Sequence, residues 1–319
     1  MMKKTNLLTL AAVTTLSVPA FAIDTSRISG EIILATGYMS TNSNLSVEGD
    51  AYLSDTRSKG SHTNEFVVMP LGNIAYELGQ QRNQRVYLGT SRDDLAVGDL
   101  AFELGYQYDF ANGTKVDLAF LPTVMSGEVW SNPYATGQHR TKEDVEGYAY
   151  RLKLNNLMNS GFSLDMAYAT SEVDNEGITE QALHRDADSY YMKGSYNMPL
   201  SHRSGLITAV SYTHHDADGK AATYDQYETE LTYFLSQNAH SLALTGSYAY
   251  RDYDGSSVEF GKARSDNRYK LFLAYEYKNV AGWDNWNLVS FTGVNVNTSN
   301  IKFYENEDYL ASVGLSYQF

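Results

Sequence analysis

The sequence predicts an all-β protein, a transmembrane up-and-down antiparallel β-barrel of about 14 strands, within a range of about 12 to 16. Three observations carry this prediction. Apolar and polar residues alternate along most of the chain, short and long connections roughly alternate between these segments, and many of the 26 tyrosines flank them. Such alternation gives a strand one apolar face, and tyrosine at strand ends suits a membrane interface.

The alternation is clearest in the final stretch, ENEDYLASVGLSYQF. It recurs in DLAFELGYQYDF, GYAYRLKLNN, SLALTGSYAYRDY and RYKLFLAYEY. Gly, Asn and Asp mark the turns between these segments, because they tolerate positive φ or cap their own backbone. The predicted strands lie near residues 27–40, 64–78, 84–92, 98–110, 115–129, 145–155, 162–171, 187–198, 204–215, 224–235, 241–251, 267–277, 286–297 and 306–319.

A secreted β-sandwich or solenoid would also alternate, and it is the alternative fold. In a sandwich, one face packs with branched aliphatic side chains and the other is wet. Here the polar face is rich in Gly, Ala, Ser and charge, whereas the other is rich in Leu and Tyr. The first face is too small and polar for a packed core, which favours a barrel that is apolar outside and polar inside.

The first residues predict export. MMKKTNLLTLAAVTTLSVPAFA has a basic start, an apolar stretch and an A-x-A cleavage site at Ala20 and Ala22. We therefore expect a signal peptide over 1–22 and one barrel domain over 23–319. No later apolar run approaches the ~20 residues of a membrane-spanning helix. With no cysteine and a formal net charge of −14, disulfides and thiolate metal sites are excluded, and nucleic acid is an unsuitable partner.

These features resemble the outer-membrane β-barrels of Gram-negative bacteria. In that superfamily the last strand alternates and ends on an aromatic residue, as Val313, Leu315, Tyr317 and Phe319 do here. The resemblance implies that the barrel-assembly machinery recognises this ending, with periplasmic chaperones, outer-membrane lipid and lipopolysaccharide as further partners. The overall plan is similar to small monomeric porins of the OmpG type and to uncharacterised outer-membrane families of marine bacteria.

The size of the barrel and its missing N-terminal plug favour a pore for small hydrophilic solutes. A barrel of about eight strands is filled by side chains, whereas sixteen to eighteen strands leave an aqueous channel. Trimeric general porins fold a long loop into the pore, and the modest length of the connections argues against that arrangement here. The alternation assigns these charged residues to the lumen: Glu31, Glu65, Glu77, Asp99, Glu103, Asp117, Arg151, Lys153, Asp165, Lys193, Glu228, Glu230, Arg251, Arg268, Lys270 and Glu276.

Two interpretations of the lumen charges stay open at this point. The early strands are mainly acidic and the basic residues come later, so a closed ring would set up a transverse field that orients solutes. Alternatively, Glu228 and Glu230 form salt-bridge ladders with Arg251, Arg268 and Lys270 that only stiffen the wall. Because acids outnumber bases, we expect a weak preference for cations. The inward aromatic residues, Tyr191, Phe272 and Phe291, are too scattered for a sugar-binding ladder.

Other functions find weaker support in the sequence. His214, His215 and Asp216 are similar to the His–Asp pair of omptin proteases, but no partner carboxylates are evident, and no Ser–His pair of a phospholipase is found. The stretches 216–219 (DADG) and 252–255 (DYDG) begin like calcium loops but lack the closing Glu. A non-conducting surface adhesin or receptor is the main alternative, and a rim-active hydrolase a lesser one. We expect no catalytic residue, metal or cofactor.

Overall fold

The computed structural model describes residues 24–98, 101–122 and 127–319. The predicted signal segment 1–22, with Ala20 and Ala22, lies outside these residues, as does Asp99. The described strands are β1 Ile28–Thr41, β2 Thr63–Leu78, β3 Gln84–Thr90, β4 Phe102–Asp109, β5 Lys115–Pro122, β6 Gly127–Trp130, β7 Lys142–Asn155, β8 Phe162–Val173, β9 Ala187–Pro199, β10 Ser204–Ala217, β11 Tyr224–Gln237, β12 His240–Ser256, β13 Ala263–Tyr277, β14 Trp286–Ser299 and β15 Asn306–Gln318. A helix, α1, spans Arg92–Val97.

Every strand pairs antiparallel with its neighbours, and the sheet closes on itself. The closing pairs are β1 with β15 and β5 with β7. The segments β5 and β6 lie in succession along β7, so together they make one strand of the wall. The prediction of a closed 14-strand antiparallel barrel is therefore confirmed. Short 3₁₀ segments, Thr25–Arg27, Leu157–Asn159, Gln181–Leu183, Val280–Gly282 and Lys302–Tyr304, lie in the connections.

The outside of the barrel is apolar, with aromatic rings at two levels. Ile32, Leu34 and Val313, which alternate with inward residues, are each 50% exposed or more. On β15, Tyr309 lies at one level and Tyr317 at the other. The two residues are about 26 Å apart along the strand, which matches the height of the apolar band of a membrane barrel. The ring pairs are Tyr168–Tyr190, Tyr212–Tyr227 and Tyr248–Tyr269 at one level, and Phe162–Tyr196 and Trp286–Tyr317 at the other.

The carboxy-terminal residue takes part in the closure of the barrel. The backbone N–H of Phe319 donates to the carbonyl of Gly30, and the Gly30 N–H donates back, both at 3.0 Å. A Cβ at Gly30 would lie 2.7 Å from the ring of Phe319. The absence of a side chain at Gly30 therefore lets the terminal ring lie across β1 on the outer surface, beside Tyr317.

The hairpin of β3 and β4 is shorter than the sequence predicts. Its strands were expected over 84–92 and 98–110, but β3 ends at Thr90 and β4 begins at Phe102. β2 pairs with β3 only through Asn73–Leu78, so β2 continues past the end of β3. Where the two strands separate, Gly72 and Gly89 have φ values of 138° and 132°. Both φ values are ones that favour glycine. From this point the connection after β3 turns into the lumen.

No helix in the described part of the chain is long and apolar enough to span a membrane.

Gly89→Ala tests this separation point. A Cβ at residue 89 would lie 2.1 Å from the carbonyl oxygen of Gly72, at a φ that alanine rarely adopts. We expect a loss of about 2 kcal/mol or more in the free energy of unfolding, measured by urea denaturation of the barrel in detergent micelles. The control is Gly194→Ala, because no heavy atom lies within 4 Å of that Cβ. Equal stability of the two variants would contradict this account.

Candidate functional site

The register of the sheet defines the inner face of the wall. Glu31 stands opposite Gln318 and Asn73, and the alternation carries this face from strand to strand around the barrel. On this register, the described members of the predicted lumen set share the inner face: Glu31, Glu65, Glu77, Glu103, Asp117, Arg151, Lys153, Asp165, Lys193, Glu228, Glu230, Arg251, Arg268, Lys270 and Glu276.

The helix α1 lies inside the lumen, which the sequence analysis did not predict. Leu95 of α1 is 5% exposed and packs into an apolar cluster with inward residues of the wall. We call this the lumen cluster; its members are Ile33, Ala35, Leu95, Phe272, Val289 and Phe291. The sequence argued against a long loop folded into the pore, and the connection that enters it here is a short one, between Thr90 and Phe102. A short connection is enough to reach the lumen, because the hairpin of β3 and β4 ends partway up the barrel wall.

A sequence signal for α1 was present. Ser91 caps the helix, since its hydroxyl accepts from the Asp94 N–H, and Gly98 ends it with a φ of 82°. Serine at the N-cap, an acid in the first turn and glycine after the last turn are ordinary helix boundaries. Gly98 also allows a close approach, because a Cβ there would lie 2.7 Å from the ring of Phe272.

Arg92 anchors α1 to one side of the barrel. Its guanidinium lies 2.9 Å from Glu31 of β1 and 2.8 Å from Glu276 of β13. The Glu31 side chain is 4% exposed and also accepts from the Ser316 hydroxyl at 2.5 Å. Two carboxylates that the sequence assigned to the open lumen thus bind a cation of the inward helix.

Asp94 anchors the same helix to the opposite wall. Its carboxylate lies 2.8 Å from Arg151 and 3.5 Å from Lys153, both on β7. Arg151 also pairs with Asp165 at 2.6 Å. These four side chains are 12 to 17% exposed, so water screens their attraction only weakly. Because β7 and β13 lie on different sides of the barrel, α1 crosses the lumen.

A cavity of about 330 Å³ lies beside the crossing helix, and Asp94 of α1 is part of its lining. Its charged lining residues are Asp94, Glu228, Glu230, Arg151, Lys193, Arg268 and Lys270. Smaller or less polar residues fill the rest of the lining: Ala101, Leu121, Ala167, Tyr191, Ala209, Ser211, Ser247, Ala249 and Asn295. The cavity is therefore polar and charged, with the strands from β5 to β14 as its wall.

The pairing of the lumen charges combines the two interpretations from the sequence. Lys193 binds Glu230 at 2.8 Å, which stiffens the wall. Arg251 binds the side-chain oxygen of Gln226 at 2.6 Å, rather than Glu228 or Glu230 as the ladder hypothesis has it. Acid and base thus pair at some levels of the wall and stay separate at others.

Loops at the outer end of the barrel pack together into a loop cap. Its apolar residues are Leu53, Tyr134, Phe260, Phe303 and Tyr304, which come from four different connections. Phe303 is fully buried, and the hydroxyls of Tyr134 and Tyr304 lie 2.9 Å apart. Burial raises the pKa of both hydroxyls, so both stay protonated at neutral pH. Packing across the mouth narrows access to the lumen from this end.

Arg140 holds two of these loops together. It donates to the carbonyl of Asn44 at 2.6 Å, to that of Pro133 at 3.1 Å, and to that of Asp50. Burial lowers the pKa of the Arg140 guanidinium to about 10, with nearby Asp50 opposing the shift, so it is still charged at neutral pH. The guanidinium also lies 4.2 Å from the ring of Trp130, a cation–π contact.

The histidines considered for catalysis face opposite sides of the wall. His214 points outward and binds Asp225 at 2.8 Å, whereas His215 points inward and stacks on Tyr224. His215 does pair with the Ser189 hydroxyl at 2.8 Å, a Ser–His contact that the sequence analysis did not find. Arg251 is an electrostatic neighbour of His215. The pair thus has a guanidinium beside it, whereas the His–Asp contact of His214 with Asp225 lies on the other face of the wall.

The calcium-like stretch 216–219 covers the end of β10 and the bend after it, whereas 252–255 lies within β12. Asp216 forms an ion pair with Lys220 at 3.6 Å. The N–H of Gly219 donates to the carbonyl of His184. In the described residues, no group of three or more His, Asp or Glu side chains could hold a metal ion.

Arg140→Ala tests the loop cap. We expect the connection between β1 and β2 to loosen, because three carbonyls lose a charged donor. Trypsin should then cleave after Arg57 or Lys59 at least about tenfold faster in the folded barrel, as measured by mass spectrometry of the fragments. Lys115→Ala, which removes an exposed cation that pairs with Asp109 at the β4–β5 turn, should cleave at the wild-type rate. A protected Arg140→Ala loop would refute the account.

Comparison with solved structures finds outer-membrane channels of low similarity. The outer-membrane channel DcaP of Acinetobacter baumannii is 8% identical with a TM-score of 0.46, and the alignment covers 93% of this chain and 99% of that one. The COG4313 outer-membrane channel from Pseudomonas putida F1 is 11% identical with a TM-score of 0.48, covering 95% and 100%. Likenesses this distant carry no argument about solutes.

A comparison with curated proteins finds no match. One protein family does match, over residues 28–318, which is the whole described barrel wall. Its description is "Protein of unknown function (DUF2860)". The chain belongs to the DUF2860 family.

Proposed function

We propose that the protein is an outer-membrane, porin-like channel for the passive diffusion of small hydrophilic solutes. One observation carries the proposal: a closed 14-strand barrel with an apolar exterior encloses a charged cavity that α1 leaves unfilled. A polar lumen inside an apolar wall is the arrangement of water-filled membrane barrels. The transport needs no catalytic step and no cofactor.

The same proposal includes the route to the membrane. Residues 1–22 act as a signal peptide cleaved after Ala22, and the barrel-assembly machinery reads Val313, Leu315, Tyr317 and Phe319, with periplasmic chaperones as escorts. Support comes from the exposure of these four side chains, at 36 to 50%, on the outer surface of the closing strand. The rows of exposed tyrosine suit contact with lipid and lipopolysaccharide headgroups.

A non-conducting surface barrel is the second candidate function. The loop cap favours it, because apolar rings from four connections pack at the outer end. The lumen cluster favours it as well, because it fills part of the interior. An adhesin or receptor would use the outer loops and need no continuous aqueous path.

Single-channel recording decides between these functions. Residues 23–319, refolded in detergent and added to a planar lipid bilayer, should give discrete current steps. A silent bilayer would overturn the channel, provided that the protein shows the heat-modifiable gel migration of a folded barrel. If the wild type gives no current but the Arg140→Ala variant conducts, the protein is a channel that the loop cap closes.

The double variant Arg92→Gln/Leu95→Ser tests whether α1 forms the constriction. It removes the ion pairs to Glu31 and Glu276 and weakens the lumen cluster, so α1 should leave the lumen. We expect the conductance to rise by a factor of about two, since the narrowest section sets the resistance of a pore. Arg82→Gln is the control, because Arg82 pairs with Glu77 at a turn far from α1. Unchanged conductance in the double variant would place the constriction elsewhere.

A further inference from the structure

The cavity beside α1 has an uneven distribution of charge. Four basic side chains and three acidic ones line it. Two of the acids are engaged, since Asp94 binds Arg151 and Glu230 binds Lys193, each at 2.8 Å. The third, Glu228, accepts from Gln226 at 3.3 Å. The acids of the cavity are thus largely occupied within the wall.

Arg268 contributes a guanidinium that the wall does not neutralise by contact. Among the described residues, Arg268 of β13 makes neither a hydrogen bond nor an ion pair. Its electrostatic neighbours are Arg251, which repels it, and Glu228, which attracts it without an ion-pair contact. Because Arg268 lines the cavity, the donors of its guanidinium are available to a solute.

Arg251 lies beside Arg268 on the neighbouring strand. In the register, Arg268 stands opposite Ala249, and Arg251 stands two residues further along the same face of β12. Arg251 hydrogen-bonds Gln226 and lies 4.1 Å from the ring centre of Tyr224, and neither contact neutralises its charge. Asp266, which stands opposite Arg251, binds Arg264 instead at 2.5 Å. Two guanidinium groups therefore meet without a carboxylate bound to either.

We propose that Arg268, which lines the cavity, forms with the neighbouring charge of Arg251 a subsite for a small organic oxyanion, a carboxylate solute that enters the cavity. Guanidinium groups match carboxylate oxygens with paired donors, and an anion relieves the repulsion between two adjacent cations. Elsewhere in the lining, Leu121, Ala167 and Ala209 offer a less polar surface for the rest of the solute. This inference rests on the proposed channel function, and it replaces the weak cation preference expected from the sequence.

The volume of the cavity guides the choice of a probe. At ~30 Å³ of liquid volume per water, 330 Å³ corresponds to about eleven waters. An aromatic or short aliphatic monocarboxylate fits such a volume. Benzoate is therefore a suitable probe, and benzamide is a neutral control of nearly the same shape.

Block of the channel current by benzoate tests the subsite. In wild type, benzoate should interrupt the current at lower concentration than benzamide. Arg268→Gln should raise the half-blocking benzoate concentration at least about tenfold, since it removes a charge-assisted contact. The matched control is Arg85→Gln, because Arg85 is another inner-face arginine, bound to Gln107 on β4 and absent from the cavity lining. It should leave the block unchanged.

Calorimetric titration of the folded barrel with benzoate separates this inference from the channel itself. If benzoate binds wild type and Arg85→Gln but not Arg268→Gln, the result supports the subsite, even when no current is seen in the bilayer. The absence of current would overturn only the channel. Current steps with the same benzoate block in wild type and Arg268→Gln would overturn the subsite and keep the channel. No binding to wild type would also overturn the subsite. Heat-modifiable migration shows that each variant is folded.

Discussion

The ion pairs that join the first turn of α1 to two opposite walls are the interaction on which the interior depends. Arg92 lies between Glu31 and Glu276 on one side, and Asp94 lies beside Arg151 and Lys153 on the other. A six-residue helix is too short to be stable alone, so its position in the lumen must come from such tertiary contacts. Leu95, the residue after Asp94, adds an apolar contact, and the three residues together fix the helix across the barrel.

The division of the lumen follows from this crossing. On one side, the lumen cluster packs side chains from β1, β13 and β14 against the helix and excludes water. On the other, small residues such as Ala167, Ala209 and Ala249 leave the cavity unfilled. In this barrel every second strand residue points inward, and enough of these residues are alanine or serine to leave the lumen hollow. Larger side chains fill the lumen only where they contact α1.

The wall was predictable from the sequence, whereas the contents of the lumen were only partly so. Strand periodicity depends on local pattern alone, and a 14-strand barrel follows once the apolar face is assigned to lipid. The inward helix was missed because Ser91 to Gly98 lies between two alternating segments that could be extended over it. Helix boundary signals were present there, but they are local. The reason for a helix inside the barrel is a set of contacts with residues 57 or more positions away, such as Arg151, Glu31 and Glu276.

The same limitation explains the charge of the cavity. Counting charges along the strands gives an excess of acid, in keeping with the formal net charge of −14. The count treats every acid as available to a solute, but Glu31 and Glu276 bind Arg92, and Asp165 binds Arg151. The contacts that fix the helix therefore use up acids on the inner wall, while Arg251 and Arg268 are left without a bound carboxylate. An acidic protein can in this way present a basic interior, because the local field depends on which charges are already paired and not on their total.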